Sequence, residues 1–267
     1  MAGLSGKTIA TSYKSILRVD NDTNGVGTSS LPVTDGEGTL TCLEICDDFL
    51  RIQPADDNTI GTLTVRNSSA DIILSVDTSN NVVKVNSGQE IANTQYAYFS
   101  ANVSHTSANT AGIHYPLLFG NGPAAVGVAD EFAGFGNSTD PATSLTTAEA
   151  TDQRGSGLVP FLWYIPDNIS VDAVYSLEGA DTATGDTTRF HLMSYTFTSG
   201  STSCLADGTL IAHNSDTTNA GSEQVYKSTF TVDSASVSGG KVLVATFEAD
   251  GNNSDYSYQV IVKYHLV

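Results

Sequence analysis

From residue 39 to residue 86 the chain runs TLTCLEICDDFLRIQPADDNTIGTLTVRNSSADIILSVDTSNNVVKVN, a train of short alternating runs cut every few residues by Asn, Asp and Ser. A period of two with turn residues at each end reads as β-strand. One face of these strands carries Leu43 and Ile45, then Leu50 and Ile52, Leu63 and Val65, Ile72, Leu74 and Val76, and last Val83 and Val85. Two or three inward aliphatics per strand make a hairpin that is marginal in water by itself. Ordering each residue costs ~1–2 kcal/mol of backbone entropy, and so few half-buried side chains do not clearly offset it. The module therefore needs a partner surface. Three copies of the chain around an axis, each covering the next one's apolar face, would supply one. Those aliphatics are the expected packing positions of a trimeric β stem.

Two of the chain's three cysteines, Cys42 and Cys46, lie inside this train, on either side of Leu43 and Ile45. On extended backbone they stand ~13 Å apart at ~3.3 Å per residue. A disulfide needs Cα atoms within ~7 Å. A zinc site wants closer pairs and two more ligands, and Cys204 is isolated. The expectation is structural thiols, with no metal and no cofactor. An odd cysteine count also implies no disulfide framework, in keeping with synthesis in a reducing cytoplasm.

Beyond residue 95 the runs lengthen. QYAYFSANV, IHYPLLF, GLVPFLWYIP, ISVDAVYSLEG, RFHLMSYTFT, GTLIAHN, QVYKSTFTV, GKVLVATFEA and YSYQVIVKYHLV are strand candidates, separated by Gly-, Asn-, Asp- and Ser-rich turns. That spacing is the pattern of a β-sandwich or jelly roll. Phe161, Trp163, Tyr164, Phe190, Tyr195, Phe197, Phe230 and Phe247 are its core candidates. The last run is apolar to Val267, so it is expected to pair inside a sheet or against a neighbouring subunit.

Net charge narrows the partners. With 29 acids against 11 bases the chain carries −18, which repels nucleic acid and anionic membranes. The acids are spread out, as on a well-solvated exterior. The opening MAGLSGKTIATSYKS has no apolar h-region, so no secretory signal is expected. The most apolar window, GLVPFLWYI, is too short to span a bilayer and contains Pro160, so no membrane insertion is expected.

Chemistry is thinly represented. DNDTNG (20–25) matches half of a calcium loop, with Asp20, Asp22, Asn24 and Gly25 in place, but the twelfth position is Leu31. An Asx-rich turn is the plainer reading. Among His105, His114, His191, His213 and His265 no two stand at ligand spacing, and His114 and His191 fall in apolar runs as structural residues. No nucleophile elbow, phosphate loop or dinucleotide fingerprint occurs. Carboxylates are plentiful, but the β-helix repeat on which long polysaccharide-cutting enzymes are built is absent from the sequence. In FLWYIP, Trp163 and Tyr164 point to opposite sides of a strand, which makes Tyr164 the candidate aromatic for a surface sugar. The sequons at Asn102 and Asn137 are what so Asn/Ser/Thr-rich a chain yields by chance.

ILSVDTSNNVVKVNSG (73–88) resembles a motif of phage tail-fibre and head-fibre proteins: a short strand ending in Val-Asp, a Ser/Gly/Asn turn, and a second valine-rich strand. NGVGTSSLPVTDGEGTLTCLEICDDFLRIQP (24–54) resembles the segment that comes first in such appendages, except that Cys46 stands where that pattern has Ser. KTIATSYKSILRV is similar to the leader of small virion proteins of marine phages. GIHYPLLF and FHLMSYTF are similar to segments of the terminal domains of the same proteins. The resemblance implies a homotrimeric protein of the virion exterior, made in the host cytoplasm, whose partners are other capsid or tail proteins.

The combined expectation is an all-β chain. Residues 1–90 form a virion-docking module and β-hairpin stem, and residues 91–267 a β-sandwich or jelly-roll head. The expected role is a non-enzymatic, homotrimeric appendage on tail or head, with contact to a host-surface glycan as an added role. A capsid decoration or cement protein is the alternative, and a carbohydrate-binding or carbohydrate-active protein the third.

Overall fold

Turn chemistry cuts the first third of the chain into short antiparallel strands. The computed structural model describes residues 17–19, 26–58, 60–85, 87, 90–103, 110–120, 134–137, 139–148, 155–181, 184–221, 224–250 and 255–267. It divides into two units, Met1–Ala92 and Asn93–Val267.

In the first unit, β1 (Arg18–Val19), β2 (Leu31–Thr34), β3 (Leu40–Ile45) and β4 (Leu50–Ile52) form one sheet in chain order. The β2–β3 turn is held by the Asp35 carboxylate, which accepts hydrogen bonds from the backbone N–H of Glu37 (2.9 Å) and Thr39 (2.8 Å). A second sheet, again in chain order, holds β5 (Leu63–Arg66), β6 (Ile72–Asp77), β7 (Val82–Val85) and β8 (Glu90–Ile91). Its β5–β6 turn is an Asx turn: the Asn67 side-chain oxygen accepts from the N–H of Ser69 and Asp71, both at 2.9 Å.

Among the described residues the second unit has thirteen strands: β9 (Thr94–Val103), β10 (Tyr115–Pro116), β11 (Leu118–Phe119), β12 (Trp163–Tyr164), β13 (Ile169–Asp181), β14 (Thr187–Phe197), β15 (Leu205–His213), β16 (Thr217–Thr218), β17 (Gln224–Thr229), β18 (Thr231–Val232), β19 (Ser236–Val237), β20 (Lys241–Ala249) and β21 (Asp255–Leu266). One sheet runs β11-β9-β21-β13-β17, with β19 on β13. The other runs β10-β20-β14-β15-β18, with β12 on β20 and β16 on β14. Number β9, β12, β13, β14, β15, β17, β20 and β21 from one to eight. The sheets then read one-eight-three-six and two-seven-four-five, the strand order of a jelly roll. The apolar C-terminal strand β21 is central, paired with β9 on one side and β13 on the other.

The two sheets face each other across one core. Phe190 of β14 meets Tyr258 of β21 edge-on at 5.1 Å, Phe247 of β20 meets Tyr258 at 4.7 Å, and Phe99 of β9 meets Trp163 of β12 at 6.3 Å. Of the aromatics expected inside, Phe161, Trp163, Phe190, Tyr195, Phe230 and Phe247 are buried. Tyr164 and Phe197 are corrections, at 55% and 38% exposed. Tyr164 is of the opposite parity to Trp163, and Phe197 is the last residue of β14.

Three runs read as single strands are broken. IHYPLLF changes sheets at the fully buried Leu117, whose N–H donates to the Ala245 carbonyl of β20 at 2.8 Å before Leu118 pairs with Ser100 of β9. QVYKSTFTV changes sheets at Phe230, whose N–H donates to the Val174 carbonyl. GLVPFLWYIP begins as a helical turn, Gly155–Leu158, then a 3-10 turn, Val159–Phe161, before β12.

The outward side of β14 is covered by residues 134–137 and 139–148. Phe135 packs on Tyr195 at 6.1 Å, and the Tyr195 hydroxyl donates to the Ala142 carbonyl at 2.8 Å. Gly208 of β15 makes this closeness possible. A Cβ there would stand 2.6 Å from the Thr143 Cα and 2.8 Å from the Tyr195 ring. Gly208→Ala is expected to lift the cover and cost ~2 kcal/mol, read as a lowered thermal unfolding midpoint. An unchanged midpoint would show that the cover adds no stability.

Candidate functional site

The apolar positions expected to pack a stem line up across strands. Leu63 lies opposite Val76, which lies opposite Val83; Val65 lies opposite Leu74, which lies opposite Val85. In the first sheet Leu31, Ile45 and Leu50 form one row, and Leu43 faces Ile52. Ile72 shares the parity of Leu74 and Val76 on β6. A single chain does not close these rows. Leu50 is 60% exposed, Val65 44%, Val83 39% and Leu63 36%, while Leu43, Ile45, Ile52, Ile72, Leu74, Val76 and Val85 are half-buried.

On the opposite face of the second sheet Ile73 is 54% exposed. Ser75 and Asp77 are buried there. Asp77 accepts hydrogen bonds from Lys84 Nζ at 2.7 Å and Asn80 Nδ2 at 2.9 Å. Those bonds, the Lys84 bond foremost, hold its carboxyl below the usual range.

The histidines form a cluster that spacing along the chain did not reveal. His191 of β14 lies opposite His213 of β15, their rings 6.3 Å apart, and His114 meets His191 edge-on at 5.0 Å. His213 Nδ1 is 2.8 Å from Asp233, and His191 Nε2 is 3.5 Å from the exposed Asp140. Burial above all, then the neighbouring His114, Arg189 and His213, push His191 down to about 3. An imidazole held neutral to that pH is poorly matched to proton transfer near neutrality. Pairing RFHLM with GTLIAHN as a hairpin would have brought His191 and His213 together from sequence.

Glu178 of β13 points into the core and is 1% exposed. The Thr188 hydroxyl donates to it at 2.5 Å. Burial pushes its carboxyl up to about 7, against the opposing pull of the Thr188 and Asn219 hydrogen bonds. Closed between two sheets, it has no surface from which a substrate could reach it.

The other candidates stay apart. Cys42, Cys46 and Cys204 are free thiols, the first exposed and the others buried. Tyr164 is exposed on β12, while Trp163 stacks inside on Phe119 at 5.7 Å. His265 Nδ1 lies 2.9 Å from Asp172. Asn102 and Asn137 are exposed. Asp20, Asp22, Asn24, Gly25 and His105 lie outside the described residues. Among the described residues no group of three or more His, Cys, Asp and Glu is placed to hold a metal ion, and no helix is long and apolar enough to cross a membrane. No protein-family model and no curated protein matches this chain.

Proposed function

We propose that this chain is a non-enzymatic structural protein of a bacteriophage particle, a homotrimer on the virion exterior. Residues 1–90 dock on the particle and form the stem, and residues 91–267 form the displayed head. One observation supports self-association most directly: the aligned aliphatic rows of β3 to β7 remain 36–60% exposed at Leu50, Leu63, Val65 and Val83 on a lone chain. At ~25 cal/mol per Å² of apolar surface, covering such rows is a substantial drive to associate. The viral setting rests on the tail-fibre and head-fibre resemblance of residues 24–54 and 73–88. Trimeric display suits weak individual contacts, including a sugar on the exposed Tyr164, because linked sites raise avidity without new chemistry.

Sedimentation velocity of the full chain over a dilution series tests the association. A species of three times 27.9 kDa is expected. A well-folded monomer at micromolar concentration would overturn the trimer and remove the physical support for the stem. A cryo-EM map of the particle then separates a projecting appendage from a clamp on the shell.

A further inference from the structure

On the outward side of β14, His191, Met193 and Tyr195 follow one another at every second residue, and all three are buried. Loop, not strand, covers them. Phe135 packs on the Tyr195 ring and Asp140 reaches to within 3.5 Å of His191. Residues 134–137 and 139–148 are pinned by hydrogen bonds at intervals. The N–H of Phe135 donates to the His114 carbonyl (2.7 Å), Gly208 to Thr143 (2.8 Å), Leu145 to Leu205 (2.9 Å) and Thr147 to Thr202 (2.7 Å). The sheet beneath is tied by an unbroken ladder, β14 to β20 from Thr188 to Thr196. A cover held at points over a sheet held along its length can open without it.

Part of what lies beneath is polar. Thr246 of β20 stands opposite His191 in the ladder and is fully buried. Among the described residues neither His191 Nδ1 nor Thr246 Oγ1 has a hydrogen-bond partner. An open loop lets water supply the bonds that the closed one withholds. The charged neighbours point the same way. His114 before β10, Arg189 on β14 and His213 on β15 all disfavour a positive charge on His191. Three nearby acids have partners: Asp216 holds Arg189 at 2.7 Å, Asp233 is 2.8 Å from His213, and Glu248 of β20 lies opposite Arg189. Asp140 belongs to the loop and leaves with it. We propose that residues 134–137 and 139–148 are an acid-released lid: protonation of His191 lifts them from β14 and β15 while the jelly roll beneath stays folded. Lifting uncovers Met193, Tyr195 and the histidine cluster.

The pH window follows from the two states of the ring. Under the closed loop it stays neutral down to about 3; in water it takes a proton near the ordinary 6.5. The closed form is therefore favoured fully above about 6.5 and loses ground as pH falls toward 3. Between pH 7 and pH 4.5 the open fraction grows roughly 50–100-fold. Amide hydrogen exchange of the wild-type full chain at these two pH values, corrected for the pH dependence of intrinsic exchange, tests the lid. Protection at Phe135, Leu145, Thr147 and Gly208 is expected to fall by that factor, while the β13–β21 ladder keeps its own. An equal fall in both is unfolding of the whole unit and overturns the lid, as does unchanged protection at the loop bonds. In His191→Gln the loop bonds are expected to be equally protected at both pH values. A fall that persists in this variant overturns His191 as the trigger, and the wild-type comparison stands whether or not the variant folds.

Discussion

His191→Gln is expected to hold the fold at lower pH than the wild-type chain tolerates. The folded imidazole is depressed to about 3, against an ordinary value near 6.5 in the unfolded chain. A depressed histidine contributes stability that is complete above the unfolded value and is lost as pH falls toward the folded one. At ~1.36 kcal/mol per pH unit the loss reaches about 4–5 kcal/mol by pH 3, an upper limit because local opening relieves it. The groups facing this ring are His114, Arg189, His213, Asp216 and Asp140, and the first three disfavour a further positive charge. Glutamine removes the titration at the cost of the ring contacts with His114 and His213, so the variant is less stable than wild type at pH 7 and more stable near pH 4. Urea unfolding at a series of pH values measures the crossing. Two curves that stay parallel from pH 7 to pH 4 would rule out His191 as the acid-sensitive group.

Glu178→Gln is expected to act at the other end of the pH scale. Its folded carboxyl is raised to about 7 from an ordinary 4.5. A raised acid contributes stability that is fully present below the unfolded value and is lost as pH climbs through the folded value. Above about pH 7 the wild-type chain therefore carries a penalty of ~3 kcal/mol that a neutral amide avoids. The glutamine oxygen can still accept from Thr188, so little packing is lost. A rise of roughly 5–10 °C in the unfolding midpoint at pH 8 is expected, shrinking to nothing near pH 4. Equal midpoints at pH 8 would mean that the carboxylate is solvated in the fold. The two groups also oppose each other. Between about 4.5 and 6.5 Glu178 gains a proton's worth of stability on acidification while His191 loses one, so the wild-type profile is nearly flat there. Each single variant should uncover the slope of the other residue.

The strand train of residues 39 to 86 was legible because alternation is a local property. TCLEI, FLRIQP, TLTVR, IILSVD and VVKV are β3 to β7, each bounded by turn residues whose side chains bond their own backbone, as Asp35 and Asn67 do. The core role of Phe190, Phe230 and Phe247 was legible for the same reason: large aromatics in long alternating runs have few other places to go. Phe99, Phe135, Tyr256 and Tyr258 are buried as well and drew no attention, because alternation reports that a strand has two faces and not which of them meets the other sheet. Exposed apolar surface divides in the same way. The aliphatics of residues 43 to 85 could be named from the sequence, whereas the row of Tyr98, Ile261 and Tyr175 joins residues up to 163 positions apart through the ladder of β9, β21 and β13.

Taken alone, the amino-acid sequence determined the all-β class, most strand positions, the turn chemistry, the acidic charge and the shortage of apolar cover over residues 39 to 86, since each depends on neighbours a few residues apart. Only the tertiary structure decided that Glu178 is sealed in the core, that His114, His191 and His213 share one cluster, that Leu117 and Phe230 are where the chain crosses between sheets, and that Gly208 must be bare beneath Thr143. Those features arise when strands distant in sequence become adjacent, and strand order and register are set by the sum of many weak contacts that no short stretch of chain contains.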